Sequence, residues 1–174
     1  ILPTASKFAL QEGGFNVIEE SRLPSFLLDN SLLITGEVDR VTGYEKGLAG
    51  QEVFNEGSWQ PDPLTLDDQA LIANIRGKGL IIVTGCGHSG VVNICNYAKK
   101  LTAEDKIHAI IGGFHLPDGL DTAIIQNTIS ALKSLDPDWL VPAHCTGQKA
   151  ILSLVKELPN SIIQNSVGSQ YVFS

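Results

Sequence analysis

The chain has 174 residues, 43% of them hydrophobic and 18% charged, below the roughly 25% charged share of an average globular chain. This is length enough for one domain with a sizeable core, and the composition excludes an extended disordered chain. Twelve Lys and Arg against nineteen Asp and Glu give a net charge of -7, which argues against an electrostatic grip on nucleic acid or on an anionic membrane.

Residues 1–30 form a poorly defined lead-in, with a short helix expected over Ala5–Glu12, a break at Gly13-Gly14 and a strand-like Phe15–Ile18. Ser31–Val38 reads as a strand. Residues 39–68, rich in Gly, Pro and Asp, read as one long loop of the kind that is usually functional or mobile. Its aromatic residues Tyr44, Phe54 and Trp59 are candidates either for covering a site or for packing. Gly77-Lys78-Gly79, between Ala70–Arg76 and Leu80–Thr84, predicts a β-hairpin.

Residues 69–174 carry a βαβα core in which one pattern occurs three times. A buried-looking strand (Leu80–Thr84, Ile107–Ile111, Trp139–Val141) runs through a short Gly or Pro loop into an amphipathic helix. The apolar faces are Val91, Ile94, Cys95, Ala98 and Leu101; then Ile125, Thr128, Ile129, Leu132 and Leu135; then Ile151, Leu154, Val155 and Leu158. Strands this apolar predict α/β layering without a sheet left open on one side. A last strand is expected at Gln170–Phe173.

The longest apolar runs fall far short of the roughly 20 residues of a membrane span, and no signal-peptide pattern precedes them. Three Cys in no framework spacing fit a reducing compartment, so a cytoplasmic location is expected. The chain contains no Met, and the expectation is a piece of something longer.

Of four His, three occupy the three strand-to-helix loops: Gly85-Cys86-Gly87-His88, Gly112-Gly113-Phe114-His115 and Pro142-Ala143-His144-Cys145. The carboxyl ends of strands in an open α/β sheet form one edge, so the three imidazoles should converge there. A single loop His is usually a surface or capping residue, but three in equivalent loops point to joint metal ligation, in a site assembled by the fold and not by a short clip. His108, inside a strand among apolar neighbours, reads as an ordinary strand residue.

Other readings compete. Gly85-Cys86-Gly87-His88-Ser89-Gly90 matches the dinucleotide pattern G-x-G-x-x-G, but no acidic residue follows the second strand to hold a ribose. A cysteine nucleophile is disfavoured because sequence-adjacent Cys and His point in different directions; Cys86 and Cys145 read as small packing or supporting groups. Asp67 and Asp68 read as a solvated turn, or else as an acidic group near a metal.

Thr84-Gly85-Cys86-Gly87-His88-Ser89-Gly90, Ile111-Gly112-Gly113-Phe114-His115-Leu116 and Pro142-Ala143-His144-Cys145-Thr146-Gly147 together resemble the C-terminal half of a metallo-β-lactamase-fold protein. Thr35–Val38 and Leu66–Leu71 extend the likeness. The branch it resembles is that of dihydropterin/ribofuranosylaminobenzene 5′-phosphate synthase-like metal-dependent hydrolases. The resemblance implies an αββα sandwich, of which residues 1–174 would be the C-terminal ββα half, with one or two metal ions, zinc expected, at one edge. It implies His88 and His144 as metal ligands and His115 as a ligand or a catalytic stabiliser of oxyanion charge. Where many relatives carry an Asp that bridges two metals, this sequence has Gly112-Gly113-Phe114-His115. The family's His-x-His-x-Asp-His motif is absent, and no His precedes His88. The expected partner is therefore an N-terminal half of the same protein, besides a small-molecule substrate. The implied activity is hydrolysis of an ester, phosphoester or amide; the alternatives are pterin-type transfer and a non-catalytic metal-binding or assembly fragment.

Overall fold

A computed structural model describes residues 6–18, 22–47 and 49–173. Chain order is α1 (Lys7–Glu12), β1 (Ser25–Leu27), β2 (Leu32–Ile34), β3 (Glu52–Asn55), β4 (Ser58–Pro61), β5 (Ala70–Ile75), β6 (Gly79–Thr84), α2 (Val91–Thr102), β7 (Ile107–Gly112), α3 (Thr122–Leu135), β8 (Trp139–Pro142) and α4 (Gln148–Glu157). Six strands form one sheet in the order β1-β2-β5-β6-β7-β8; β3 and β4 pair separately. The hairpin β5–β6 is antiparallel, whereas β6, β7 and β8 run parallel. Two parallel steps of the same hand put α2 and α3 on one face of the sheet.

The core lies between that face and the helices. Leu33, Ile72, Leu80, Ile82, Ile110 and Leu140 from the sheet meet Ile94, Cys95, Ala98, Ile125, Ile129, Leu132 and Leu154 from the helices. Of the residues expected on the apolar face of α4, Leu154 and Leu158 are buried and Val155 is exposed, while Ala150 joins the buried face. Because side chains alternate across a strand, Leu71, Val83, Ile111 and Val141 stand in register on the opposite face. There Leu71 and Val83 are 39% and 40% exposed. The expectation of a sheet covered on both sides is corrected only at Leu71 and Val83, where all the crossovers turn to the other side; elsewhere on that face Ile81, Ala109 and Val141 are buried, and Tyr171 and Phe173 lie against Trp139.

Several strand expectations are also corrected. Phe15–Ile18 forms no strand: the Phe15 N–H is spent on the Leu10 carbonyl at the end of α1, after Gly14 at φ +84. In the segment Ser31–Val38 only Leu32–Ile34 pairs as a strand, because Gly36 at φ +65 turns the chain beside the Arg22 carbonyl. The 39–68 loop contains the hairpin β3–β4, closed by Glu56-Gly57 at φ +49 and +81, the mirror-image turn that suits strand twist. Phe54 and Trp59 pack edge to face across it. Gln170–Phe173 forms no strand, because the free side of β8 is taken: Leu140 donates to Ser161 and accepts from Ile163. Tyr171 and Phe173 instead lay their rings against Trp139, and Phe173 also reaches His108. Ala5 of the expected first helix lies outside the described residues.

Candidate metal centre

Three loops leave the carboxyl ends of β6, β7 and β8, and backbone bonds tie them together. Gly113 donates to the Gly85 carbonyl and Ala143 to the Gly112 carbonyl, both at 2.8 Å. Contact this close needs glycine: a Cβ on Gly87 would lie 2.6 Å from the Gly113 carbonyl oxygen. His88 and His115 are thereby brought edge to face, with ring centroids 4.4 Å apart. His144 lies exposed at the third loop, its Nε2 2.9 Å from the Cys86 Sγ.

His115 is held at φ +47, a conformation that side chains other than glycine's adopt at a cost. Its Nδ1 is buried without a hydrogen-bond partner. Burial lowers its pKa first, and His88 and His144 lower it further; Asp68 acts the other way. The neutral imidazole this favours is the form that ligates metal. Asp68, left open between turn and site, lies near enough to influence His115, and its Oδ2 accepts from both the backbone N and the hydroxyl of Ser89. Asp67 is exposed. The orphaned His115 Nδ1 has the chemistry of a metal ligand. Among the described residues, however, the structure does not bring the donor atoms of all three loop histidines together, and the one group of three donors within 4.8 Å is Cys86, His144 and Cys145.

His108 stands apart, with Nδ1 2.6 Å from Asp138 Oδ2. The thiols interlock across loops and not with their sequence neighbours. Cys145 Sγ accepts from the His115 backbone N–H at 3.3 Å and donates to the Cys86 carbonyl at 3.1 Å. Burial, then the nearby Cys86, push the Cys145 thiol up to about 11. This thiol also fills the space a side chain at Gly113 would need, since a Cβ there would sit 2.3 Å from Sγ.

Sequence reasoning missed the residues that hold this edge in place. Arg40 donates to the His88 carbonyl at 3.2 Å and to the Leu64 carbonyl. Glu45 closes the N-terminus of α2, accepting from Val92 and Asn93 at 3.0 and 2.9 Å. Its carboxylate fills the place where a phosphate would sit on a G-x-G-x-x-G turn, so the glycines here serve loop packing. The only available signal was an unremarkable run of polar residues in a long loop. Of the loop aromatics, Tyr44 lines the cavity beside His88 and His115, while Phe54 and Trp59 stay on the exposed hairpin. The cavity holds about 40 Å³, far below the roughly 300 Å³ of small-molecule sites.

A crystal structure of Tm1679, described as a metal-dependent hydrolase of the β-lactamase superfamily, matches this fold with a TM-score of 0.76 and 26% identity, over 91% of this chain and 58% of that one. The chain shares the fold of this metal-dependent hydrolase of the β-lactamase superfamily. The chain is also similar to a 7,8-dihydropterin-6-methyl-4-(beta-D-ribofuranosyl)-aminobenzene-5′-phosphate synthase of Methanocaldococcus jannaschii, 44% identical over 85 residues, which are 49% of this chain and 29% of that protein. An uncharacterized protein of the same organism, MJ0448, is 33% identical over 162 residues, covering 93% of this chain and 56% of its own length. The chain thus spans just over half of MJ0448 and of Tm1679. No protein-family model matches it. No helix among the described residues is long and apolar enough to cross a membrane.

Proposed function

We propose that this chain supplies one side of a metal-dependent hydrolase centre, with His88, His115 and His144 as imidazole ligands. What supports the reading is the edge-to-face pair of His88 and His115, with His144 close enough to lower the His115 pKa and the buried His115 Nδ1 left without a partner. Zinc is the ion we assign. A divalent ion bound here would polarise an ester, phosphoester or amide oxygen and make water acidic enough to attack at neutral pH. The chain's own residues hold the ligand geometry. Arg40 fixes the His88 backbone, Asp68 fixes Ser89 beside it, and the His115 ring can stabilise negative charge developing on substrate oxygen.

The remaining ligands and the cover for Leu71 and Val83 would come from a complementary N-terminal half carrying the His-x-His-x-Asp-His motif. The exposure of Leu71 and Val83 on the sheet and the chain's coverage of little more than half of Tm1679 support this. The likeness to the pterin synthase favours a second reading, transfer of a pterin-methyl group to an aminobenzene acceptor.

Metal analysis of the intact protein tests the assignment. His88→Ala and His144→Ala should each lower bound zinc and abolish turnover; unchanged metal content would overturn the ligand set. Assay of phosphodiester and lactone hydrolysis against pterin-methyl transfer then decides between the two reactions.

A further inference from the structure

The two thiols beside His144 are not needed by the imidazole site. Cys86, His144 and Cys145 place their donor atoms within 4.8 Å of one another, although they come from two different loops. We propose that Cys86, Cys145 and His144 form a thiolate subsite for one thiophilic ion such as Zn2+, distinct in donor chemistry from the imidazole set and sharing only His144 with it.

The geometry is near what such an ion requires. With metal–sulfur bonds of about 2.3 Å and metal–nitrogen bonds of about 2.0 Å, tetrahedral donors stand roughly 3.5–3.8 Å apart. The Cys86–His144 separation of 2.9 Å reaches this by a small rotation of the exposed His144 ring. Cys145 is aimed by its surroundings. Gly113 leaves the space for its sulfur, and the His115 backbone N–H points at Sγ, where it would stabilise a thiolate. On binding, each thiol loses its proton to solvent, and the ion replaces the proton that Cys145 now donates to the Cys86 carbonyl. Exposure of His144 leaves a fourth position for water or another ligand. Two thiolates and one imidazole select zinc, cadmium or cuprous ions over magnesium or calcium.

The inference shares His144 with the proposed function, and the test separates the two. The ion-free full-length chain, kept reduced and anaerobic, is titrated with Co2+ while sulfur-to-cobalt charge-transfer absorption is followed. A band at one equivalent is expected, lost in Cys86→Ser and in Cys145→Ser and kept in Cys95→Ser and His88→Ala. Circular dichroism of the serine variants checks that they fold, and Cys86→Ala repeats the test without a hydroxyl. Cobalt bound without the band, or a band that survives both serine variants, would overturn the subsite. So would thiols that only form a Cys86–Cys145 disulfide on oxidation and bind no cobalt when reduced. Failure of the imidazole reading shows instead as zinc content indifferent to His88→Ala, whatever the sulfur band does.

Discussion

Glu45 and Asn93 hold each other's segments in place. The Glu45 carboxylate accepts the Asn93 backbone N–H at 2.9 Å, while the Asn93 side-chain oxygen accepts the N–H groups of Val41 and Thr42 at 2.8 and 2.9 Å. Asn93 is fully buried and also donates to the Ser89 carbonyl. The first part of the 39–68 segment is thereby fastened to α2 beside the His88 loop.

Asn93→Ala would strand two loop N–H groups and a carbonyl. A loss on the order of 3 kcal/mol in urea unfolding is expected. Combined with Glu45→Ala, the two losses should fall short of their sum, because each removes the same clamp. Additive losses would show that the clamp is not a unit.

The pH dependence of Glu45 has a definite sign. Burial, its largest influence, raises the folded pKa above the ordinary 4.5, against the bonds from Val92 and Asn93. The folded state therefore holds this proton more tightly, and the contribution is complete below 4.5 and lost as pH rises through the folded value. Stability of the natural chain relative to Glu45→Gln should rise as pH is lowered through that window. A difference that moves the other way would mean that the helix N–H groups outweigh burial.

Gly113→Ala tests the thiol's seat. The added methyl would lie 2.3 Å from Cys145 Sγ and 2.9 Å from the Gly85 carbonyl oxygen, so destabilisation of about 1–3 kcal/mol is expected in thermal unfolding. Cys145→Ala in the same chain should recover part of this loss.

Arg40→Ala removes the donor to the His88 carbonyl without touching an imidazole. Competition with a chelator should show zinc bound roughly 10–100-fold more weakly by the intact protein. Unaltered affinity would show that Arg40 does not set the His88 geometry.

Asp138 carries the opposite pH sign from Glu45. Its bond with His108 is the main cause of a lowered pKa, and Lys106 adds to it. Its stabilisation is present above the ordinary 3.8 and lost as pH falls through the folded value. The carboxylate side chain is 43% exposed, so the advantage over Asp138→Asn should be small, about 0.5 kcal/mol at neutral pH, and should fade on acidification. An advantage that persists in acid would contradict the ion-pair account.

The parallel strands and helices of residues 69–174 were legible because burial on a strand and on a helix face leaves a period in the sequence. The His loops were legible for the same reason, since each follows a clear strand. What the sequence hid was long-range and polar. Glu45 caps a helix that begins 46 positions later, counted to Val91, and no local pattern marks such a partner. Asp68 reached the site through Ser89, and Cys145 through a gap at Gly113. The hairpin β3–β4 was obscured by exposed strands that have no buried face to write an alternation.

The left-handed backbone of His115 also bears on how this protein can be engineered. Glycine or asparagine at position 115 would relieve roughly 1 kcal/mol of torsional cost. A library screened only for heat resistance would therefore tend to discard the imidazole, and thermostable variants obtained that way should be sequenced at 115 before their metal binding or turnover is interpreted.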